Sequence, residues 1–165
     1  MSDLVIINFI HIDCARNYAI YRAIDAQLES RDLNSNFWRV ARNSCRDMAI
    51  IQWCKLFGSW SETTHWKNHS FIKDFEIEIL KKTNISYDLW KKIHDCILEY
   101  RDKNVAHIDL DDWERNIPFM SLAMEILYCS YDAFISPSYN NLNLRDEFIR
   151  VFDDTKQAFI SSSIK

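Results

Sequence analysis

Apolar residues recur at intervals of three and four along most of the chain, the spacing of amphipathic helices packed on a common core. The first predicted helix runs from about Ser2 to Glu29, with Ile7, Ile10, Cys14, Tyr18, Tyr21, Ile24 and Leu28 as its inner stripe. A polar break from Arg31 to Ser35 precedes a second helix ending near Phe57. On that helix the spacing puts Phe37, Ala41, Cys45 and Met48 on one face and Arg39, Arg42 and Arg46 opposite. The arginine row reads as a solvated face, with a small phosphate-binding strip as its functional alternative.

Gly58 is placed to end the second helix, and Ser59 to Thr64 form a loop into a third segment from His65 to about Lys82. Asn84 or Ser86 can cap a fourth helix that passes through Trp90, Ile93, Ile97 and Tyr100 towards His107. An acidic loop, Asp109 to Glu114, follows. Pro118 suits the first turn of a fifth helix with Met120, Ala123, Leu127, Tyr131 and Phe134 inward, and Pro137 closes it. Asn143 can cap a last helix from Leu144 to about Ile160. With no repeat or linker, the expectation is a single domain over residues 1–165: all-α, an antiparallel bundle of five or six helices.

Composition narrows the function. One glycine and two prolines in 165 residues are too few for the many turns of a sandwich, barrel or doubly wound sheet. The lone glycine also excludes the Walker loop and the dinucleotide fingerprint, both of which need several glycines. Five cysteines, odd in number and without a C-x-x-C pair, read as small core residues in a reducing compartment. The stretch Leu4 to Ile12 is broken by Asn8 and His11 and preceded by acidic Asp3, unlike a signal peptide. No segment approaches the ~20 apolar residues of a membrane span, so no membrane association and a cytoplasmic location are expected. Net charge is −4, and residues 109–165 hold five basic against ten acidic residues. Any nucleic-acid contact must therefore be local, made by a few side chains.

One position breaks the amphipathic pattern. At about 100° per residue, the seam of Trp90, Ile93 and Ile97 continues into Arg101 and Asn104, so a guanidinium stands on a line expected to be buried. Such a charge needs a carboxylate, a partner subunit or an anionic ligand. His107 lies on the flank of the same seam.

The segment Tyr100-Arg101-Asp102-Lys103-Asn104-Val105-Ala106-His107 resembles the R-x(4–6)-H signature of the HEPN superfamily, small all-helical domains of which many are RNases. The form here is R-D-x(4)-H. The ending Ala106-His107-Ile108-Asp109 is similar to that of the superfamily's abortive-infection branch. The branch paired with a nucleotidyltransferase antitoxin has a tyrosine two residues after the histidine, whereas Asp109 stands there in this chain; control by tyrosine modification is not implied.

The resemblance implies a metal-independent endoribonuclease in a toxin–antitoxin or phage-defence setting, with no cofactor. His107 would act as general base or acid at the ribose 2′-hydroxyl. Arg101 would stabilise charge on the phosphate, Asp102 would orient the histidine or the arginine, and Asn104 and Lys103 would contact substrate. The cleft would be shared across a twofold homodimer, with RNA as substrate and an antitoxin or regulatory protein as a further partner. The competing reading is a helical HEPN-type dimerisation or interaction module without chemistry, in which Arg101 pairs with Glu99, Asp102 or Asp109 and His107 merely favours the negative helix end.

Other candidates carry less. His65 and His69 have the i, i+4 spacing of a shared metal on a helix, but no third ligand accompanies them and no metal site is expected. Asp109, Asp111 and Asp112 lack the glycine and distal glutamate of a calcium loop. Trp60, in a polar loop, is the tryptophan best placed for exposure and base stacking.

Overall fold

The computed structural model describes residues 3–30, 36–59, 61–69, 74–106, 120–139 and 142–162. The chain is an all-α bundle of six helices: α1 (Asp3–Ser30), α2 (Asn36–Phe57), α3 (Phe75–Thr83), α4 (Tyr87–Tyr100), α5 (Met120–Ser130) and α6 (Leu144–Ser162). No strand occurs among the described residues, and no helix among them is long and apolar enough to cross a membrane.

The helices assemble by burying the stripes that the spacing predicts. Ile7, Ile10, Cys14, Tyr18, Tyr21 and Ile24 of α1 are buried, as are Met120, Ala123, Leu127 and Tyr131 around α5. Contacts fix directions. Cys14 Sγ donates to the Ala49 carbonyl at 3.2 Å and Arg42 pairs with Asp25, so α2 runs antiparallel to α1. Trp53 touches Trp90 while Tyr100 reaches Asp47, so α4 runs antiparallel to α2. On α6, Glu147 pairs with Arg16, and Phe159 packs on Trp38 at the start of α2.

The helix ends have local causes. A Cβ at Gly58 would lie 2.5 Å from the Cys54 carbonyl oxygen, the same oxygen that accepts the Gly58 N–H at 2.8 Å; only glycine allows this approach. Ser86 Oγ accepts the Leu89 N–H and caps α4, while Asn84 instead closes α3 in the left-handed conformation at φ 55°. Asn143 Oδ1 accepts the N–H groups of Arg145 and Asp146, capping α6 as its residue type favours. Pro137 falls in the short 3-10 turn Ser136–Ser138 that ends the α5 run.

Three expectations are corrected. The third segment is not one helix from His65: a 3-10 turn, Trp66–Asn68, precedes α3, which begins at Phe75. The second concerns α2, whose buried line is Arg46, Ala49, Ile50, Trp53, Cys54, Leu56 and Phe57. Phe37 is 70% exposed, and Val40 and Met48 are exposed as well. Arg39 is exposed and Arg42 half-buried, but Arg46 belongs to the core. Spacing identifies two candidate faces, and the neighbouring helices decide which is covered. The third correction is that α4 keeps regular winding only to Tyr100; Arg101–Ala106 form a π turn. The acidic loop 109–114, Trp60 and Pro118 lie outside the described residues.

His11 is buried on α1, with Nδ1 donating to the Ile7 carbonyl at 2.9 Å and Nε2 accepting from Ser130 Oγ at 3.0 Å. Burial lowers its pKa to about 4, the bond to Ile7 opposing in part. The unfolded chain therefore takes up a proton near pH 6.5 that the folded chain refuses until about pH 4. Stability is full above pH 6.5 and falls as the pH drops, by on the order of 2 kcal/mol at pH 5 from this residue. His65 shifts in the same direction. Urea unfolding of wild type should show the combined loss from both histidines between pH 7 and pH 5, and His11→Gln should show about half of it.

Candidate active site

The motif residues stand where α4 changes winding. Ser86 starts the helix, and Trp90, Ile93, Ile97 and Tyr100 seat it in the core. Arg101 then opens the π turn. Its side chain is 27% exposed, half-buried rather than in the core as the extrapolated seam predicts. The Arg101 N–H still bonds the Ile97 and Leu98 carbonyls, so the residue keeps the seam's direction and its long side chain carries the charge outward.

Arg101 is held from two sides. Asp102 Oδ1 accepts from Nε at 2.8 Å and from Nη2 at 2.7 Å, so one edge of the fork lies on an exposed carboxylate. The Cys54 sulfur of α2 touches the same guanidinium. Burial pushes the Cys54 thiol up to about 12, the charge of Arg101 opposing; the sulfur is a neutral packing partner, not a nucleophile. The Nη1 end of the fork lies outside the Asp102 pair.

The remaining motif side chains are occupied. Lys103 Nζ pairs with Glu99 at 2.7 Å, both exposed. Asn104 Nδ2 donates back to the Tyr100 carbonyl at 3.3 Å. His107 lies outside the described residues, so the structure brings Arg101 and Asp102 together and leaves Lys103 and Asn104 turned to their own helix.

Against Tyr100 lies a buried cation, Arg46, that spacing assigned to solvent. Arg46 is 4% exposed, and its guanidinium carbon sits 5.3 Å from the centre of the Tyr100 ring, within cation–π range. Asp47 Oδ1 accepts from Arg46 Nε at 3.1 Å and from the Tyr100 hydroxyl at 3.0 Å. Arg46 Nη2 has no hydrogen-bond partner among the described residues. One carboxylate thus fixes both the buried cation and the residue preceding Arg101. The signal was present in the sequence: the line of Phe57, Trp53, Ile50 and Ala49, followed backwards, passes through Arg46.

The paired histidines are a packing feature. His65 precedes the 3-10 turn, its Nδ1 accepts the Lys67 N–H at 3.2 Å, and its ring stacks on Trp66. No group of three His, Cys, Asp or Glu side chains among the described residues could hold a metal ion. All five cysteines are free. Comparisons with protein-family models, curated proteins and solved structures return no match, so the functional reading rests on these residues themselves.

Removing a buried cation whose carboxylate remains is costly, whereas exposed or half-exposed arginines contribute little. Arg46→Ala should lower unfolding stability by about 2–4 kcal/mol, and Arg39→Ala and Arg42→Ala by under about 1 kcal/mol each. Urea denaturation of the three variants measures this. Equal losses would contradict the core position of Arg46.

Proposed function

We propose that the chain is a metal-independent endoribonuclease of HEPN type, acting as a homodimer in a toxin–antitoxin or phage-defence setting in the cytoplasm. The observation that supports it is Arg101: the motif arginine opens a π turn, a geometry frequent at functional sites, and reaches the surface with Asp102 fixing one edge of its fork. That matches the orienting role the resemblance implies for Asp102.

In this reading His107 removes the proton of a ribose 2′-hydroxyl, whose oxygen attacks the adjacent phosphorus. Arg101 stabilises the charge that builds on the phosphate oxygens, since a planar, permanently charged fork suits two of them. The 5′-oxygen leaves and takes up a proton from an acid, His107 of the second subunit being the implied source. The products are a 2′,3′-cyclic phosphate and a 5′-hydroxyl. Lys103 and Asn104 contact the strand after leaving Glu99 and the Tyr100 carbonyl.

A second reading, a non-catalytic interaction module, has specific support too. The Arg101 charge is balanced within its own segment, and α2 exposes Phe37, Val40 and Met48 at helical spacing, an apolar row of the kind that marks association surfaces.

The two readings separate in one experiment. The dimeric protein, its size checked by light scattering, should cleave single-stranded RNA in EDTA, and His107→Ala and Arg101→Ala should each reduce the rate by about 100-fold or more. Cleavage that requires a divalent ion, or that survives both changes, overturns the mechanism. A folded dimer with no cleavage selects the interaction module.

A further inference from the structure

We propose that the cavity beside the N-terminal half of α4 is a nucleotide subsite, holding a nucleobase on its aromatic wall and a phosphate at its lysines. The cavity measures about 220 Å³ and opens between α2, the Trp66–Asn68 turn, α3 and α4. That is below the roughly 300–1,000 Å³ of sites for drug-sized ligands, a size for one ring system.

Its lining selects the ligand class. Trp90 and Phe57 form an apolar back wall, and Tyr87, 57% exposed, stands free at the mouth as a stacking surface. Lys67 and Lys91 supply cationic donors, while Glu76 and Asp95 supply acceptors. Lys67 Nζ lies 5.0 Å from the Trp66 ring centre and 3.9 Å from Glu76. Lys91 is exposed and makes no ion pair among the described residues. His94 Nδ1 donates to Asp95 at 3.3 Å. His65, held uncharged by burial and by Lys67, with a pKa lowered to about 4, adds no further cation at neutral pH.

A simple anion would meet two carboxylates and leave the aromatic wall unused. An aliphatic ligand would make no use of the lysines and carboxylates at the cavity's edge. A flat ring bearing both donors and acceptors, with a phosphate attached, uses every group, and stacking on aromatic side chains is how single nucleotides are held.

Position ties this cavity to Arg101. His94 and Arg101 are seven residues apart on one face, about 10 Å along the helix axis. The His94 ring packs on Trp53 and the Arg101 fork on Cys54, adjacent residues of α2. A strand with a base in the cavity can carry a neighbouring phosphate to Arg101. That last step rests on the endoribonuclease reading; binding of a free nucleotide does not.

The test uses calorimetry on the full chain with three probes: the four nucleoside 5′-monophosphates, a 2′-O-methyl RNA pentamer that cannot be cleaved, and inorganic phosphate. Tyr87→Ala and Lys91→Glu, both at exposed positions and checked for unchanged melting, are compared with wild type. We expect wild type to bind a monophosphate, the pentamer or both, with each variant weakening that binding at least fivefold, and phosphate alone to bind no better than in the variants. Binding of monophosphates assigns the site to a free nucleotide, and binding of the pentamer alone assigns it to a strand; both support the subsite. Positive binding by a protein that cleaves no RNA retains the subsite and rejects the nuclease. No binding at millimolar nucleotide and pentamer, binding unaffected by both variants, or phosphate binding as tight as nucleotide binding overturns the proposal.

Discussion

Trp53 is the side chain on which the working parts of this bundle depend. It is fully buried, and its indole N–H donates to the Ala123 carbonyl of α5 at 3.1 Å. Its ring contacts Phe57, Trp90 and His94. One residue therefore sets α2 against both α4 and α5, satisfying its only polar atom as a buried indole must. The cavity lies on one side of this contact. On the other, the neighbouring Cys54 meets Arg101. Losing so large a buried ring costs about 3–5 kcal/mol in ordinary cores, and here it would also remove the surface that aligns His94 with Arg101.

The second constraint is electrostatic. Arg46 is a cation in the core whose compensation comes from Asp47, from the Tyr100 ring and from the aliphatic stem that buries with it. A leucine there would pack at less cost in desolvation, but could not hold Asp47 in reach of the Tyr100 hydroxyl. Tyr100 is the last residue of regular α4, so this hydrogen bond pins the point where the helix passes into its π turn. The buried pair thus acts on the direction in which Arg101 leaves the core.

What the sequence made legible was what local chemistry determines. The α1 stripe, the Gly58 stop and the Ser86 and Asn143 caps each follow from spacing or from one residue's hydrogen-bonding habit, and each is found in the structure. The face of α2 was not legible in the same way. Phe37 and Met48 are as apolar as Trp53, yet they lie beyond the neighbouring helices, while Arg46 falls opposite Tyr100. Which cation enters the core depends on what crosses it, and that is tertiary information. Arg101, which the spacing set on a line expected to be buried, is half-buried and paired with Asp102, because its side chain is long enough to carry the charge out of the seam. The spacing of His65 and His69 failed: i, i+4 places two side chains on one face only within a helix, and those residues flank a 3-10 turn.

Charge around the motif is arranged for orientation more than for attraction. Arg46 has Asp47, Arg101 has Asp102 and Lys103 has Glu99, so each cation is answered by a carboxylate within four positions. No strong positive field stands over this surface to draw in a polyanion, in keeping with a net charge of −4. A phosphate reaching Arg101 must share the fork with Asp102, which lowers affinity while keeping the fork's plane fixed. On the proposed reading, an RNA held here would draw its affinity from ring contacts, which do not depend on net charge, and its reactivity from one oriented guanidinium. The aromatic wall at Trp90 and Tyr87 and the paired fork at Arg101 would then divide those two tasks along a single helix, and under that division an acidic protein would need no basic surface to act on a nucleic acid.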